Sequence, residues 1–351
     1  DRLNGTNVCH NEDNHITQHI RSVIRGNIMF IDTPGHEAFL NLRSQGVSIC
    51  DVGIVVVDIM KGLERQTLEC LEMLRENNCQ TIVVMNKIDR LYEWIYCDGD
   101  TFQQNYDKQN RYALEQYATK AEEIRQQLGS WQVPKILATS CCGRNGVGLD
   151  DLLNEIETIN NTNNNYDFYI FDVVAINNIG VVMHVIVKNG TLNVGDTIKF
   201  NTIYNTQITT SIRTIFADNH FVRQVSDLQM AYIIADNING AFGKLCLEHD
   251  ELDVSNNSIR FDQNGVVIYS KSLGSAISLV AELKTENIAT AEININTTIP
   301  SSNIPRIKTP VMCFDIELPQ NIIDNLPVVI NGKTIFELKQ KYVKWTTDCN
   351  D

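Results

Sequence analysis

Three short stretches carry side chains whose types and spacing could do chemistry, and each follows an apolar run. In Phe30-Ile31-Asp32-Thr33-Pro34-Gly35-His36 a carboxylate falls where a strand ends, the edge at which doubly wound sheets bind ligands. A carboxylate there can hold Mg2+ through water, and a glycine three residues on lets a backbone N–H approach a terminal phosphate with no Cβ in the way. In Val84-Met85-Asn86-Lys87-Ile88-Asp89, Asp89 can accept two hydrogen bonds from the ring N–H and exocyclic amine of guanine, groups that adenine does not present in that arrangement. Polar recognition of this kind discriminates by roughly 10⁴ or more, because the wrong base leaves the carboxylate unpaired. Asn86 would fasten the loop, and the aliphatic stem of Lys87 would cover the ring face. In Ala138-Thr139-Ser140-Cys141 a backbone N–H of the Ser140-Cys141 loop would donate to the guanine carbonyl oxygen. Singly, each stretch also reads as an ordinary polar turn. Their order, at steps of about fifty residues and each after a strand, points to one guanine-nucleotide domain.

Loops of this kind need a layered fold to hold them. A chain of 351 residues, at about 150 per domain, has room for two or three domains that each bury a core. From about residue 27 to 157, β-branched runs alternate with amphipathic helices, the pattern of a mostly parallel sheet covered by helices. Strands are predicted over 27–31, 52–57, 81–85 and 135–138. A crossover helix is predicted over 66–74, with Leu68, Leu71 and Leu74 facing the sheet, and a second over 111–128 with a solvated charged face. The stretch 160–165, almost all Asn and Thr, cannot pack and marks a boundary. Strands over 166–176, 181–187 and 196–200, with turns at Asn189-Gly190 and Val194-Gly195-Asp196, predict a small β-barrel. A third pattern begins near residue 262: a strand over 265–270, a loop over 272–275, a helix over 275–283, strands over 289–295 and 311–318, and a helix over 335–345. The expected fold class is therefore α/β: a GTPase-type domain (1–160), a β-barrel domain (166–255) and a smaller three-layer α/β domain (262–345).

Composition narrows the function classes. Hydrophobic residues at 43% and charged residues at 21% are globular values, and no apolar run approaches the ~18 residues that cross a bilayer. A net charge of −14 argues against holding nucleic acid or anionic lipid by bulk electrostatics, so any RNA contact must be local. The ten cysteines are scattered and form no C-x-x-C pair, which fits reduced thiols in the cytoplasm. Cys9, His10, His15 and His19 lack the spacing of a tetrahedral zinc site.

These motifs resemble the translational GTPases, and among them the initiation factors. The stretches that carry the resemblance are Ile16-Thr17-Gln18-His19-Ile20, Asp32 to Glu37, Asn41-Leu42-Arg43, Val56-Val57-Asp58-Ile59-Met60-Lys61-Gly62-Leu63-Glu64-Arg65-Gln66-Thr67 and Asn86-Lys87-Ile88-Asp89-Arg90-Leu91-Tyr92-Glu93-Trp94. Gly190-Thr191-Leu192 and Gly195-Asp196 resemble the family's barrel, and the run from Val267 to Leu283 the start of its third domain. The resemblance implies GTP and GDP as ligands and Mg2+ as cofactor. Thr17 and Asp32 would serve the metal, the Gly35 N–H would touch the γ-phosphate, and His36 would be the catalytic residue that orients the attacking water. Asn86, Lys87, Asp89, Ser140 and Cys141 would hold the base. It further implies a cytoplasmic factor that promotes ribosomal subunit joining by hydrolysing GTP at the ribosome's factor-binding site, alongside other initiation factors and with no membrane partner. A non-hydrolysing ribosome-binding module and an elongation-type factor are the alternatives.

The chain departs from the family in two places. The phosphate-cradling loop G-x-x-x-x-G-K-S/T has no counterpart: Gly143 to Gly148 lacks the lysine, and Gly243-Lys244 is followed by Leu245. Asp1-Arg2-Leu3 resembles the sequence just after that loop, so the expectation is a longer parent protein that carries it immediately before Asp1. This chain alone is then expected to bind GTP poorly. Glu12-Asp13-Asn14-His15 stands where the family has a glycine pair. After Asp351 the family continues into a further barrel that engages initiator tRNA, so no tRNA contact is expected of this chain.

Overall fold

The run Gln80–Asn86 is apolar on both sides of its pleat, which suits a strand covered on both faces. A computed structural model describes residues 21–33, 47, 49–129, 131, 133, 135–159, 167–217, 220–248, 250, 252, 259–300, 302–316, 318–333 and 335–348. These divide into two units that part near residue 162. In the first, β1 (Arg21–Arg25) and β2 (Ile28–Asp32) form an antiparallel hairpin. β3 (Val52–Asp58), β4 (Gln80–Asn86) and β5 (Lys135–Ala138) form a parallel sheet in that order. The covering helices are α1 (Arg65–Glu76), α2 (Phe102–Tyr106), α3 (Arg111–Leu128) and α4 (Leu149–Thr158). Val83 and Met85 point to the face packed by Leu71 and Leu74 of α1 and by Tyr117, Ala121 and Ile124 of α3. Ile82 and Val84 point to the opposite face, under Leu152 and Ile156 of α4. Asn110 caps α3 by accepting from Ala113 N at 2.9 Å.

Leu68 does not face the sheet: it is 40% exposed, whereas Leu71 and Leu74 are buried. Steps of three residues advance about 300° around a helix, so a leucine every third position drifts off the buried stripe within two steps. The hairpin partner β1 was not predicted. Its signal is Gly26-Asn27, a two-residue turn with Gly26 at φ 57°.

The second unit opens with antiparallel strands: β6 (Asp167–Ile176), β7 (Gly180–Asn189), β8 (Thr191–Asn193), β9 (Thr197–Thr202), β10 (Gln207–Ser211), β11 (Thr214–Ala217), β12 (His220–Val222), β13 (Gln224–Ser226), β14 (Gln229–Ile234) and β15 (Ala241–Leu247). Eight of them form one sheet in the order β10-β9-β15-β6-β7-β14-β11-β12, and β8 pairs with β13. Just after β10, Ile212 N bonds Asp196 O beside β9 and Arg213 N bonds Ile234 O at the end of β14, so the chain passes directly from one flank of the sheet to the other. Phe168, Met183, Val185, Leu192, Phe200, Ile215 and Val225 fill the interior.

The rest of this unit is a parallel sheet of order β17-β16-β18-β19, with β16 (Val266–Ser270), β17 (Thr290–Ile295), β18 (Val311–Phe314) and β19 (Val329–Gly332). α5 (Leu273–Thr285) and α7 (Ile335–Asp348) cover one face. The short α6 (Gln320–Ile323) and irregular segments bearing Ile299, Ile316 and Leu326 cover the other. Two expected boundaries moved. α5 begins at Leu273 because Ser272 caps it, accepting from Ser275 N at 3.1 Å. β18 stops at Phe314 because Asp315 turns the chain at φ 53°. The strand β19 was not predicted. The barrel strands and the α/β segment share one core, and Ala175 N donates to Lys271 O at 2.7 Å between them.

Candidate nucleotide-binding site

The carboxyl ends of β4 and β5 lie side by side, with Met85 opposite Ala138. The chain leaves β4 through Lys87 in the left-handed region (φ 67°, ψ 35°) and enters a 3₁₀ turn, Ile88–Arg90. A non-glycine residue held there is strained and persists when its surroundings fix it. Asn86 supplies part of that fixing. Its Oδ1 accepts from Lys87 N at 2.8 Å and from Thr139 Oγ1 at 3.2 Å, so one side chain ties the loop after β4 to the loop after β5. The backbone adds Thr139 N to Met85 O at 2.8 Å and Ile88 N to Thr139 O at 3.3 Å.

The link continues through Ser140, which is fully buried. Its hydroxyl donates to Asp89 Oδ1 and accepts from Cys142 N at 3.1 Å. One carboxylate oxygen of Asp89 is thereby pinned. Ser140 and Val147 exchange backbone hydrogen bonds of 3.0 and 2.8 Å, closing the loop that carries the exposed Cys141 and Cys142. Asp98 braces that loop from below: Asn145 N and Gly146 N donate to it at 2.9 Å and the Tyr96 hydroxyl at 2.8 Å. The Tyr96 bond and the loop N–H groups hold the Asp98 carboxyl below the usual carboxylate range. Burial, and then Asp98, push the Tyr96 hydroxyl up.

Asp58, at the end of β3, faces the same loops. Its carboxylate receives Lys87 Nζ at 2.8 Å and Met60 N at 3.0 Å, with Arg90 at 3.7 Å. Burial alone would raise its pKa, but the Lys87 and Met60 bonds and the two cations outweigh it, so the group is held below its ordinary value.

Of the residues singled out from sequence, the structure gathers Asn86, Lys87, Asp89, Ser140 and Cys141 on two adjoining loops. Asp32 ends β2, exposed, on the separate hairpin. Thr17, Gly35 and His36 lie outside the described residues. Sequence reasoning did not assign a site role to Asp58, Thr139 or Asp98. Thr139 stood inside the quoted motif, whereas Asp98 lies more than forty positions from the loop it braces and gave no local signal. Among the described residues no cluster of three or more His, Cys, Asp and Glu side chains is placed to hold a metal. No described helix is long and apolar enough to cross a membrane.

Residues 14–162 match the family model of the elongation factor Tu GTP binding domain. That match covers the segment that holds the parallel sheet and its paired loops, and makes it similar to the nucleotide domain of the translational GTPases. The chain is similar to eukaryotic translation initiation factor 5B of Homo sapiens, 26% identical over 99% of this chain and 34% of the relative, and to that of Saccharomyces cerevisiae, 28% identical over 83% of this chain and 34% of the relative. The probable translation initiation factor IF-2 of Pyrobaculum neutrophilum is 25% identical over 99% of this chain and 73% of the relative. The chain thus spans about a third of the length of the eukaryotic relatives. Among solved structures, GDP-bound aIF5B from Aeropyrum pernix shares the fold at a TM-score of 0.55 and 22% identity, over 94% of this chain and 64% of that one. The bacterial selenocysteine-specific elongation factor EF-Sec does so at 0.52 and 20%, over 71% of this chain and 42% of that one.

Proposed function

We propose that the chain is part of a cytoplasmic translation initiation factor that binds GTP with Mg2+, docks on the ribosome and hydrolyses the nucleotide as the subunits join. The observation that carries this reading is the hydrogen-bonded path Asn86–Thr139 and Asp89–Ser140, which sets a carboxylate and a backbone loop against one another at the end of a parallel sheet. Asp89 accepts from the guanine ring N–H and amine. A backbone N–H of the Ser140-Cys141 loop donates to the guanine oxygen, and the stem of Lys87, anchored at its tip by Asp58, lies along the ring. Asp32 and Thr17 serve the metal, Gly35 the γ-phosphate and His36 the attacking water, because phosphoryl transfer is catalysed by positioning and charge stabilisation. Residues 1–160 form the nucleotide domain, 166–255 the barrel and 262–345 the third domain, the last two offering ribosomal contact surfaces.

The test is titration of fluorescent GDP and ADP against the chain and against a form extended upstream to include a phosphate-binding loop. Guanine-selective binding in the extended form, lost with Asp89→Asn, is the expected result. Equal affinity for ADP, or selectivity that survives Asp89→Asn, overturns the reading. In the extended form, His36→Ala is expected to keep nucleotide affinity and slow ribosome-stimulated hydrolysis.

A further inference from the structure

Cys50 and Cys79 stand just before β3 and β4, at the amino edge of the parallel sheet, opposite the loops described above. Their sulfurs are 3.4 Å apart, neither is in a disulfide, and both residues are half-buried. Each is held in place. Cys79 follows Asn78, which turns left-handed at φ 51° to end α1; Asn78 N bonds Arg75 O at 3.0 Å and Cys79 N bonds Leu74 O at 2.9 Å, the paired closure of a Schellman motif. Cys50 Sγ points to Val47 O at 3.4 Å and Cys79 Sγ to Cys50 O at 3.6 Å.

The β3–β4 register starts at Val52 opposite Gln80. Cys50 and Cys79 therefore precede the first paired residues of the two adjacent strands by two residues and one residue. The sulfur contact of 3.4 Å shows that the two side chains already point at one another, the mutual orientation that a disulfide requires. Cys246 and Cys313 are buried, and Cys141 and Cys142 are exposed.

We propose that Cys50 and Cys79 are a dithiol modification site that a low-molecular-weight disulfide, such as glutathione disulfide, converts to an intramolecular disulfide. One protein thiolate attacks a sulfur of glutathione disulfide, forming a mixed disulfide and expelling one glutathione thiolate. The second cysteine gives its proton to solvent and attacks the protein-bound sulfur, expelling the other glutathione. Two protein thiols are oxidised and one glutathione disulfide is reduced to two glutathiones. The hydrogen bond with Cys79, and then burial, push the Cys50 thiol well up, so closure quickens as pH rises. The bond would staple β3 to β4 at the edge away from the nucleotide loops. This inference does not depend on the proposed function.

The test is incubation of the folded chain with glutathione disulfide, alkylation of remaining thiols and digestion without reduction. A cross-linked peptide pair containing Cys50 and Cys79 is expected, while the exposed Cys141 and Cys142 carry glutathione. In Cys50→Ser, Cys79 is expected to keep a glutathione adduct, because the resolving thiol is gone; Cys79→Ser gives the mirror result. Recovery of Cys50 and Cys79 from the wild-type chain as alkylated thiols, or each bearing its own glutathione, while Cys141 and Cys142 have reacted, overturns the proposal without recourse to any variant.

Discussion

The Lys87 ammonium reaches across two parallel strands to Asp58, with Nζ 2.8 Å from Oδ2. Lys87 follows β4 and Asp58 ends β3, so an ion pair joins two strand ends 29 positions apart in the chain. Asp58 is largely buried, 10% exposed at its side chain, while Lys87 is 43% exposed. The pair therefore fixes the carboxylate more firmly than the amine, and the strained left-handed turn at Lys87 has a tether at its tip as well as at its backbone.

Asp58→Asn keeps the Met60 hydrogen bond and removes the charge. It is expected to cost about 1 kcal/mol at neutral pH, since the partner is half in solvent. Asp58 has a folded-state pKa below its unfolded value, so its contribution is present above the ordinary carboxylate range and is lost as pH falls through the depressed value. Urea unfolding of the two proteins at pH 7 and at pH 3 checks both points: the difference should shrink in acid.

Ser140→Ala removes the donor to Asp89 and the acceptor of Cys142 N together. A free carboxylate samples more positions, so affinity for labelled GDP in the upstream-extended form is expected to fall by about five- to tenfold, equivalent to about 1 kcal/mol. Unchanged affinity alongside lowered stability would separate Ser140 from base recognition.

Gly148→Ala tests the turn behind the same loop. Gly148 sits at φ 69°, and a Cβ there would lie 2.4 Å from the backbone oxygen of Ala138, at the end of β5. Neither the dihedral nor the carbonyl can yield without moving the strand, so the substitution is expected to cost about 2 kcal/mol or more in urea unfolding. Gly26→Asn is the contrast: its φ is 57° with open space around it, and Asn tolerates that conformation, so a change within about 0.5 kcal/mol is expected.

Asp172 and His184 face each other across β6 and β7 and titrate in opposite senses. Burial pushes Asp172 up to about 6, although Val173 N at 2.8 Å and Gly274 N at 2.9 Å donate to it. Burial lowers His184, stacked on Tyr232 at 4.5 Å, to about 4. The Asp172 contribution is present in acid and lost as pH rises through about 6. That of His184 is present above its unfolded value of 6.5 and lost as pH falls toward about 4. Between those limits the two offset each other. His184→Phe should therefore gain stability as pH falls from 6 to 4, and Asp172→Asn should lose it, while the wild-type urea midpoint stays nearly level.

Much of the nucleotide unit is legible locally. A β-branched run followed by Asn86-Lys87-Ile88-Asp89, and another followed by Thr139-Ser140, place their polar residues just past strand ends, because a strand that fills both faces with apolar side chains can change chemistry only where it leaves the sheet. Three barrel strands, β6, β7 and β9, and the parallel strands β16 to β18 follow from the same alternation and turn grammar, whereas β8 and β10 to β15 were not predicted. The hairpin strand β1 and the outward Leu68 were misread because a five-residue strand and a three-step leucine spacing leave several solutions that only neighbours select. Asp98 was invisible because its role consists of N–H groups that arrive from a distant loop.

The amino-acid order by itself picked out the polar residues of the candidate site, since that choice depends on side-chain type and on position relative to a strand end. Only the folded chain decided what holds them. The ties from Asn86 to Thr139, Asp89 to Ser140 and Lys87 to Asp58 all join separate strands or their loops. The physical reason is that parallel strands are joined by long crossovers, so residues tens of positions apart become neighbours through sheet register, a quantity set by the packing of both faces and written in no single stretch of sequence.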